Sequence, residues 1–340
     1  MKRREFLGST ALAAATAMFP ATRAFSQETI TWKALAHHSN GAQYNKWIWL
    51  QEELPKRTDG RINLEITTSA ELGLTGFEVL RVLQTGLVDI AEVNIGFVSG
   101  DFPMIEATEL PGLGQTYDEG RALMTAWMKN VVAPAGDIMG GKVIGNFSWN
   151  SAFLFTAFTM ESLDDLQGKK IRVYSPGLAK YLEHFGAEPI SMTTTEVYGA
   201  LQRGVIDGLL TGSDQISAMS LWEVAPHMYD IGLAPFGAYI VVSERTWNNL
   251  PDDLRLVVEQ IGADMTALGW KLGQDNNDAG IAAAREHDMT VEVSAPADWL
   301  EQLSHASREQ VVPWWTSRAG AGAAEKFNEI LAPLTGFTVD

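Results

Sequence analysis

The chain has 340 residues, 46% of them apolar and 20% charged, a composition that is typical of a globular protein and excludes a disordered chain or a coiled coil. This length is too great for one small core and sufficient for two lobes. The formal net charge of −17 gives an acidic surface that repels polyanions, so neither nucleic acid nor an anionic membrane surface is expected as a partner.

The N-terminal segment has the organisation of an export signal. Arg3-Arg4 precedes a weakly apolar run at residues 9–19, which is well short of the roughly 20 residues that span a bilayer. Small residues at Ala24 and Ser26 fit a signal peptidase site with cleavage before Gln27, and cleavage after Ala24 is the alternative. We predict a twin-arginine signal peptide at residues 1–26 and a mature protein in the periplasm; a basic, unstructured tail is the other interpretation. No later segment of the sequence is long and apolar enough to cross a membrane.

The residues after this segment alternate predicted strands with predicted helices. Residues 29–36 read as a short buried strand, and residues 41–57 as a helix with apolar side chains at i, i+3 and i+7. Pro55 lies in the last turn of that helix, where a proline interrupts the hydrogen-bond ladder. Residues 61–67 alternate apolar and polar side chains, which predicts a half-buried strand.

Three helix starts share one signal, a Ser or Thr followed three residues later by an acidic residue. A glycine ends each of these helices, and a short apolar strand follows. The pairs and their strands are Thr75–Glu78 before residues 88–93, Ser162–Asp165 before residues 170–174, and Thr193–Glu196 before residues 205–210. This β-α-β pattern predicts parallel sheets and an α/β fold.

A long amphipathic pattern begins at Pro251 and continues to about His287. A helix of this length predicts an element that runs along both lobes. A strand at residues 290–293 and helices from Asp298 complete the chain. No internal repeat and no flexible linker is visible in the sequence, so we expect strands or helices that cross between the lobes to join them.

Four segments of the sequence resemble motifs of the DctP-type solute receptors of TRAP transporters. They are SAELG at residues 69–73 with the helix and the VDI strand that follow it, LDDLQGKKIRVY at residues 163–174, TEVYGALQRGVIDG at residues 195–208, and WNNLP at residues 247–251. Four collinear motifs are far more specific than any one of them, and their order and spacing hold from about residue 30 to about residue 315. From its sequence, the chain is identified as a member of this family.

The resemblance implies a two-lobe periplasmic binding protein of the type II-like α/β fold, in which each lobe is a sheet flanked by helices and a long helix spans both. Lobe I is expected to comprise residues 27–149 and about 237–280, and lobe II residues 150–236 and about 281–340. A small carboxylate is expected to bind in the cleft between them and to be delivered to the TRAP membrane permease subunits, which an ion gradient drives. The short, Gly- and Ala-rich segment after Trp315 favours a monomer.

Arg172 is the strongest candidate for the ligand anchor. It alternates with Ile171 and Val173 on a predicted strand, so its side chain faces the side opposite that apolar pair. A guanidinium group binds a carboxylate through two parallel charge-assisted hydrogen bonds, and the resemblance implies that this arginine lies in the cleft. An exposed arginine paired with a surface acid is the alternative. Many family members carry a second arginine twenty residues earlier, where this chain has Ala152, and this departure favours a ligand with one carboxylate and a less charged remainder.

The other candidate ligand-binding residues rest on alignment with cleft positions of the family. His38 belongs to an adjacent pair, His37-His38, of which at most one is expected to face the ligand because neighbouring strand residues point to opposite sides. The remaining candidates are Asn94, Trp149, Asn150, Thr211, Asp214 and Phe236, the last with Tyr239 as an aromatic wall. Their structural alternatives are core packing for the aromatic residues, a turn cap for Asn94 and a helix N-cap for Asp214.

The sequence carries no signature of an enzyme. It has no cysteine, no GxSxG, Walker or GxGxxG motif after a strand, and no HExxH motif. Its six histidines show no metal-ligand spacing, so no metal and no cofactor is predicted. An exported hydrolase is the alternative from another class, and a sensor subunit that binds the same ligand but signals to a kinase would have the same fold.

Overall fold

Ten β-strands and fourteen α-helices form in the described part of the chain, which is residues 29–39, 41–114 and 116–339 of a computed structural model. The signal peptide predicted at residues 1–26 lies outside these residues. The strands are β1 (Ile30–Ala36), β2 (Ile62–Thr68), β3 (Ile90–Asn94), β4 (Gly141–Thr156), β5 (Lys170–Val173), β6 (Glu188–Ser191), β7 (Gly208–Gly212), β8 (His227–Tyr229), β9 (Pro235–Ser243) and β10 (Thr290–Glu292). The helices are α1 (Asn45–Arg57), α2 (Val79–Gln84), α3 (Ile95–Val98), α4 (Tyr117–Trp127), α5 (Gly136–Met139), α6 (Pro176–His184), α7 (Thr194–Gln202), α8 (Gln215–Met219), α9 (Glu244–Asn248), α10 (Asp252–Glu286), α11 (Ala297–Ala306), α12 (Val312–Ala319), α13 (Ala323–Ile330) and α14 (Ala332–Thr335).

The sheet of lobe I has the strand order β2-β1-β3-β9-β4. β1 pairs in parallel with β2 and β3, whereas β9 runs antiparallel to β3 and β4. In β2, Ile62 and Leu64 are buried while Asn63 and Glu65 are exposed, which confirms the predicted alternation. β3 is buried along its whole length, because apolar clusters cover both faces of the sheet.

Lobe II repeats this topology. Its sheet has the order β6-β5-β7-β4, with β5 parallel to β6 and β7 and with β4 antiparallel to β7, and β8 and β10 extend it beyond β4. One hydrogen bond recurs in both lobes: Asp89 accepts the backbone N–H of Lys33, and Asp207 accepts that of Lys170, each at 2.8 Å. The chain thus contains a structural repeat, which the sequence analysis missed although LQTGLVD at residues 83–89 matches LQRGVID at residues 201–207.

The two sheets share strand β4. Its first part, residues 141–151, pairs with β9, and its last part, Ala152–Thr156, pairs with β7. The 35-residue helix α10 crosses both lobes as well, since it packs on Ile144 in lobe I and on Ser213 in lobe II. The predicted long helix and the predicted crossing elements are therefore confirmed.

Helix α10 approaches the strands closely because glycines line its buried face. They are Gly262, Gly269, Gly273 and Gly280. A Cβ atom at the first would lie 2.3 Å from the carbonyl oxygen of Ile144, and one at the last would lie 2.5 Å from the backbone of Ser213. Both distances are far below van der Waals contact, so any larger residue would push the helix away from the sheet.

We expect Gly262→Ala to destabilise the protein by about 1–3 kcal/mol, the usual cost of overpacking a core. In an exposed helix interior, the same substitution would stabilise by about 1 kcal/mol. Gln274→Ala, on the exposed face of α10, is the matched control and should change stability by less than about 0.5 kcal/mol. Urea unfolding followed by tryptophan fluorescence measures both variants. A neutral or stabilising Gly262→Ala would contradict the close contact with Ile144.

One predicted helix is shorter than its sequence signal indicates. Thr75 and Glu78 form the predicted side-chain pair, with the Thr75 N–H donating to Glu78 at 3.1 Å, but α2 begins only at Val79. Gly76 has φ +99° and packs against the ring of Phe97, a backbone conformation that a helix does not contain. The Thr75–Glu78 pair therefore stabilises the turn that precedes α2 and does not cap the helix itself.

Two further predicted elements differ in length or position. The Ser162–Asp165 pair caps only the 3-10 turn Leu163–Leu166. The strand predicted at residues 205–210 is β7, Gly208–Gly212, because Gly204 has φ +66° and starts the turn that leaves α7. This shift moves Thr211 from beyond the strand into it.

The C-terminal helices contact both lobes. The indole N–H of Trp315 in α12 donates to the carbonyl oxygen of Pro103 at 2.8 Å, and its ring packs against Trp127. The residues that precede α12 pack on α6 of lobe II. The C-terminal segment therefore bridges the two lobes. No helix of the described residues has both the length and the apolarity needed to cross a membrane.

Candidate ligand-binding site

A cavity lies between the lobes, where β1, β3, β5 and β7 have their carboxyl ends. Open α/β sheets place ligand sites at this edge. The cavity comprises about 520 Å³, part of it open to solvent. Of the eight residues selected from the sequence, seven line it, and their role in binding stays a prediction. The seven are Arg172, Asn94, Trp149, His38, Thr211, Asp214 and Phe236.

Arg172 is a buried cation at this cavity, with 2% of its surface exposed. Its Nε donates to the carbonyl oxygen of Met192 and its Nη1 to that of Leu210, each at 3.0 Å. No carboxylate of the described residues forms an ion pair with it. Burial lowers its pKa to about 10, so the group stays charged at neutral pH. The alternative of an exposed arginine paired with a surface acid is therefore wrong.

Asp214 lies at the start of α8, in the same lobe as Arg172, and Asn150 holds its side chain in place. One carboxylate oxygen of Asp214 accepts from Asn150 Nδ2 at 2.6 Å and the other from Gln215 Nε2 at 2.7 Å. Asn150, the eighth candidate, does not line the cavity but positions a residue that does. The Asp214 side chain makes no hydrogen bond to cap α8. Burial raises the pKa of Asp214, although the hydrogen bonds from Asn150 and Gln215 oppose this.

Trp149 and Asn94 form a fixed pair on the lobe I side. The indole N–H of Trp149 donates to Asn94 Oδ1 at 2.6 Å, so Asn94 uses its oxygen on the indole rather than on a turn cap. The ring of Trp149 is in T-shaped contact with His38, with 5.7 Å between centroids. This pair fixes the orientation of the aromatic wall before any ligand arrives.

Both histidines line the cavity, and the expectation that at most one of them faces the ligand stays a prediction. β1 ends at Ala36, so the alternation of a strand no longer applies to His37 and His38. Burial lowers the pKa of His37 to about 4 and also lowers the pKa of His38. Both rings are therefore neutral at pH 7 and act as hydrogen-bonding groups rather than as cations.

A buried ion pair lies behind the histidines. Lys46 Nζ and a carboxylate oxygen of Glu92 are 2.6 Å apart, and both side chains are almost completely buried. The same carboxylate accepts from the backbone N–H of His37 and from the indole N–H of Trp47. It therefore fixes the chain that leaves β1 at the cleft. Sequence reasoning missed this pair, although a lysine on the apolar face of a helix and a glutamate inside an apolar strand were the signal.

The remaining walls are aromatic. Phe236 and Tyr174 lie with their ring centroids 5.5 Å apart, and Phe97 adds a third ring. Tyr239 is not part of this wall, because it is fully buried in β9. Ala152 is buried too, opposite Gly212 in the β4–β7 ladder. Among the cavity-lining residues that are described, Arg172 is thus the one cation.

Two α/β lobes around a cleft, with a buried cation that no carboxylate of the described residues pairs, define a solute-binding protein. The sequence model of the DctP family, bacterial extracellular solute-binding protein family 7, matches residues 35–312. The chain therefore belongs to this family. The family consists of transport receptors and not of enzymes, so the exported hydrolase is not supported.

Individual members resemble the chain in sequence and in fold. The C4-dicarboxylate-binding periplasmic protein of Rhodobacter capsulatus is 26% identical over 271 residues, 75% of this chain and 78% of the relative. DctP7, a Bordetella pertussis extracytoplasmic solute receptor that binds pyroglutamic acid, has a TM-score of 0.80 and 23% identity over 91% of this chain and all of that chain. A TRAP periplasmic solute-binding protein of Desulfovibrio salexigens with bound orotic acid has a TM-score of 0.82 and 17% identity over 90% of this chain and all of that chain. The predicted two-lobe fold is confirmed.

Proposed function

We propose that this protein binds a small organic monocarboxylate in the cleft and delivers it to the membrane permease subunits of a TRAP-type importer. Arg172 carries this proposal, because its guanidinium group is buried at the cavity and pairs with no carboxylate of the described residues. A buried charge without a counter-ion is costly. The carboxylate of a solute supplies that counter-ion through charge-assisted hydrogen bonds.

A compact ring acid fits the rest of the cavity best. Four aromatic rings line a space that contains one cation, which suits a ligand with one carboxylate and a flat, partly apolar remainder. They belong to Phe97, Trp149, Tyr174 and Phe236. Pyroglutamic acid and orotic acid, found in the two related structures, are small ring acids of this kind. Ala152 in place of a second arginine argues against sugar acids that need two cations.

Delivery to a permease requires export, and a twin-arginine signal at residues 1–26 supplies that route. The receptor then works as a monomer whose lobes close on the solute. Contacts that form only in the closed state shift the population towards it. The permease recognises this closed surface.

The test is a thermal-shift screen of the mature protein against L-pyroglutamate, orotate, succinate and galacturonate, with L-pyroglutamamide as the matched control that lacks only the carboxylate. A ligand at 100 times its Kd stabilises the folded state by about 2.7 kcal/mol, roughly 4 °C in a protein of this size. Stabilisation by a monocarboxylate and not by the amide supports the proposal. Mass spectrometry of the denatured protein detects an acid that co-purifies. The proposal fails if no acid stabilises the protein and none co-purifies.

A further inference from the structure

Glu109 is a buried carboxyl group at the cavity that the sequence did not single out. It ends the 3-10 helix Pro103–Glu109, is 8% exposed and lines the same cavity as Arg172. Its Oε1 accepts the backbone N–H of Gly237 at 2.6 Å. Its Oε2 is buried and has no hydrogen-bond partner among the described residues. Buried polar atoms are rarely left unpaired, so this oxygen marks a position for a ligand atom.

The groups on the lobe I side favour the neutral form of this carboxyl. Burial raises the pKa of Glu109 to about 8, and the charge of Glu106 on the same 3-10 helix adds to this, although the Gly237 N–H opposes both. Glu106 pairs with Arg318 and accepts the N–H of Gly177. The positive charge of Arg318 is therefore used on Glu106.

In the described part of the chain, no group on the other elements forms an ion pair with Glu109. Tyr174 and Tyr239 face it from the end of β5 and from β9, and burial raises the pKa of both phenols, so both are neutral. Arg172 lies 5.6 Å from the centroid of the Tyr174 ring and forms no ion pair with Glu109. The other titratable groups at the cavity are His37, His38 and Asp214.

We propose that Glu109 is a second ligand-binding group, which holds a proton on Oε2 and donates it in a hydrogen bond to a carbonyl or hydroxyl oxygen of the solute. Because Oε1 accepts the Gly237 N–H, the proton of the neutral acid lies on Oε2, the atom that has no hydrogen-bond partner among the described residues. Ionisation removes this donor and places a negative charge beside an anionic ligand. The receptor therefore takes up a proton when it binds at alkaline pH.

This inference rests on the proposed function for its ligand and narrows the solute class. The solute carries an oxo or hydroxyl oxygen in addition to the carboxylate that Arg172 binds. The two groups come from different lobes, since Arg172 lies on β5 and Glu109 on the 3-10 helix of lobe I. A solute that reaches both holds the lobes together, which links recognition of the second oxygen to closure.

The proton is tested in the unliganded protein with Glu109→Gln, which keeps the acceptor for Gly237 and does not titrate. The pKa of Glu109 is about 8 in the folded protein and about 4.3 in an unfolded chain. The protonated carboxyl group therefore contributes its full stability below about pH 4.3, and this contribution is lost as the pH rises to about 8. Relative to the variant, the unfolding constant of the wild type should rise up to tenfold per pH unit between about pH 5 and 8. The exposed control Glu188→Gln should show no such difference from wild type. Parallel pH profiles for wild type and Glu109→Gln would overturn the proton assignment.

The ligand contact is tested by isothermal titration calorimetry with L-pyroglutamate in buffers of different ionisation enthalpy. Above about pH 8, the Kd of the wild type should rise roughly tenfold per pH unit, with uptake that approaches one proton per ligand. Glu109→Gln should bind without this pH dependence. Binding with a flat profile in the wild type, or with the wild-type profile in Glu109→Gln, overturns the inference and leaves the proposed function intact. A third outcome is that no acid binds while the unfolding profiles of wild type and Glu109→Gln still differ. This outcome overturns the proposed function and the ligand contact, but it leaves the assignment of the proton to Glu109 intact.

Discussion

Arg172→Ala is expected to weaken binding of the carboxylate solute by about 2–5 kcal/mol, roughly 30-fold to several thousand-fold in Kd. The substitution leaves the ligand carboxylate in a buried cavity without its charged partner, because no other cation lines that cavity in the described residues. It also leaves the carbonyl oxygens of Met192 and Leu210 without the N–H groups of Arg172 that donate to them. Isothermal titration calorimetry with the best acid from the thermal-shift screen measures the change.

Two variants separate the geometry of the guanidinium group from its charge. Arg172→Lys keeps the charge but loses the planar fork, so we expect an affinity between those of wild type and Arg172→Ala. Arg203→Ala removes an exposed arginine of the same lobe and should leave Kd unchanged. A fall of less than tenfold in Arg172→Ala would show that the carboxylate is anchored elsewhere.

Lys46→Met is expected to destabilise the protein by about 3–5 kcal/mol at pH 7, the usual cost of leaving one partner of a buried ion pair alone. Glu92 would keep a buried charge that only N–H groups compensate. The ammonium group also lies 3.8 Å from the centroid of the Phe147 ring, a cation–π contact that the substitution removes. Urea unfolding of wild type and variant gives the difference.

The pH dependence of this loss identifies its cause. Burial alone would raise the pKa of Glu92, but the Lys46 ammonium group and the His37 N–H hold it below its usual value. In the wild type, this carboxylate therefore contributes stability above its unfolded pKa, and that contribution is lost as pH falls through the lower folded pKa. In Lys46→Met, Glu92 can instead take up a proton, so the deficit should shrink as pH falls from 7 towards about 4.5.

Two further variants control this experiment. The double variant Lys46→Met/Glu92→Gln removes both charges and should recover most of the lost stability. Lys56→Met breaks the exposed pair with Glu53, in which the lysine side chain is 62% exposed, and should cost less than about 1 kcal/mol. An equal loss in the single and double variants would mean that packing, and not charge, explains the effect of Lys46→Met.

Much of the fold could be predicted because local patterns and global packing agree. The alternation in residues 61–67 and the long apolar face after Pro251 each correspond to an observed element. Thr193 and Glu196 form the predicted capping box at the start of α7. These signals depend on hydrogen bonds and side chains a few residues apart, which a sequence displays directly.

The candidate site could be predicted only in part. Arg172 was recognisable because it stands in a motif, GKKIR, and because a cation between two apolar strand residues needs an explanation. Asn150 was predicted to line the cavity, but it lies behind Asp214, because its amide group donates to that carboxylate. Only the fold shows this. Glu109 gave no signal of its own, because a glutamate before Leu-Pro reads as an ordinary loop residue.

From the sequence alone follow the family, the two α/β lobes, the long helix and the identity of the main cation at the cleft. Each depends on local periodicity or on a contiguous motif. The tertiary structure alone decided the pairing of Lys46 with Glu92 and the meeting of Glu109 with Gly237 across 128 positions of chain. These features depend on which charges are buried together. Burial and neighbouring charges together determine whether a carboxyl group is ionised, and residues far apart in sequence determine both.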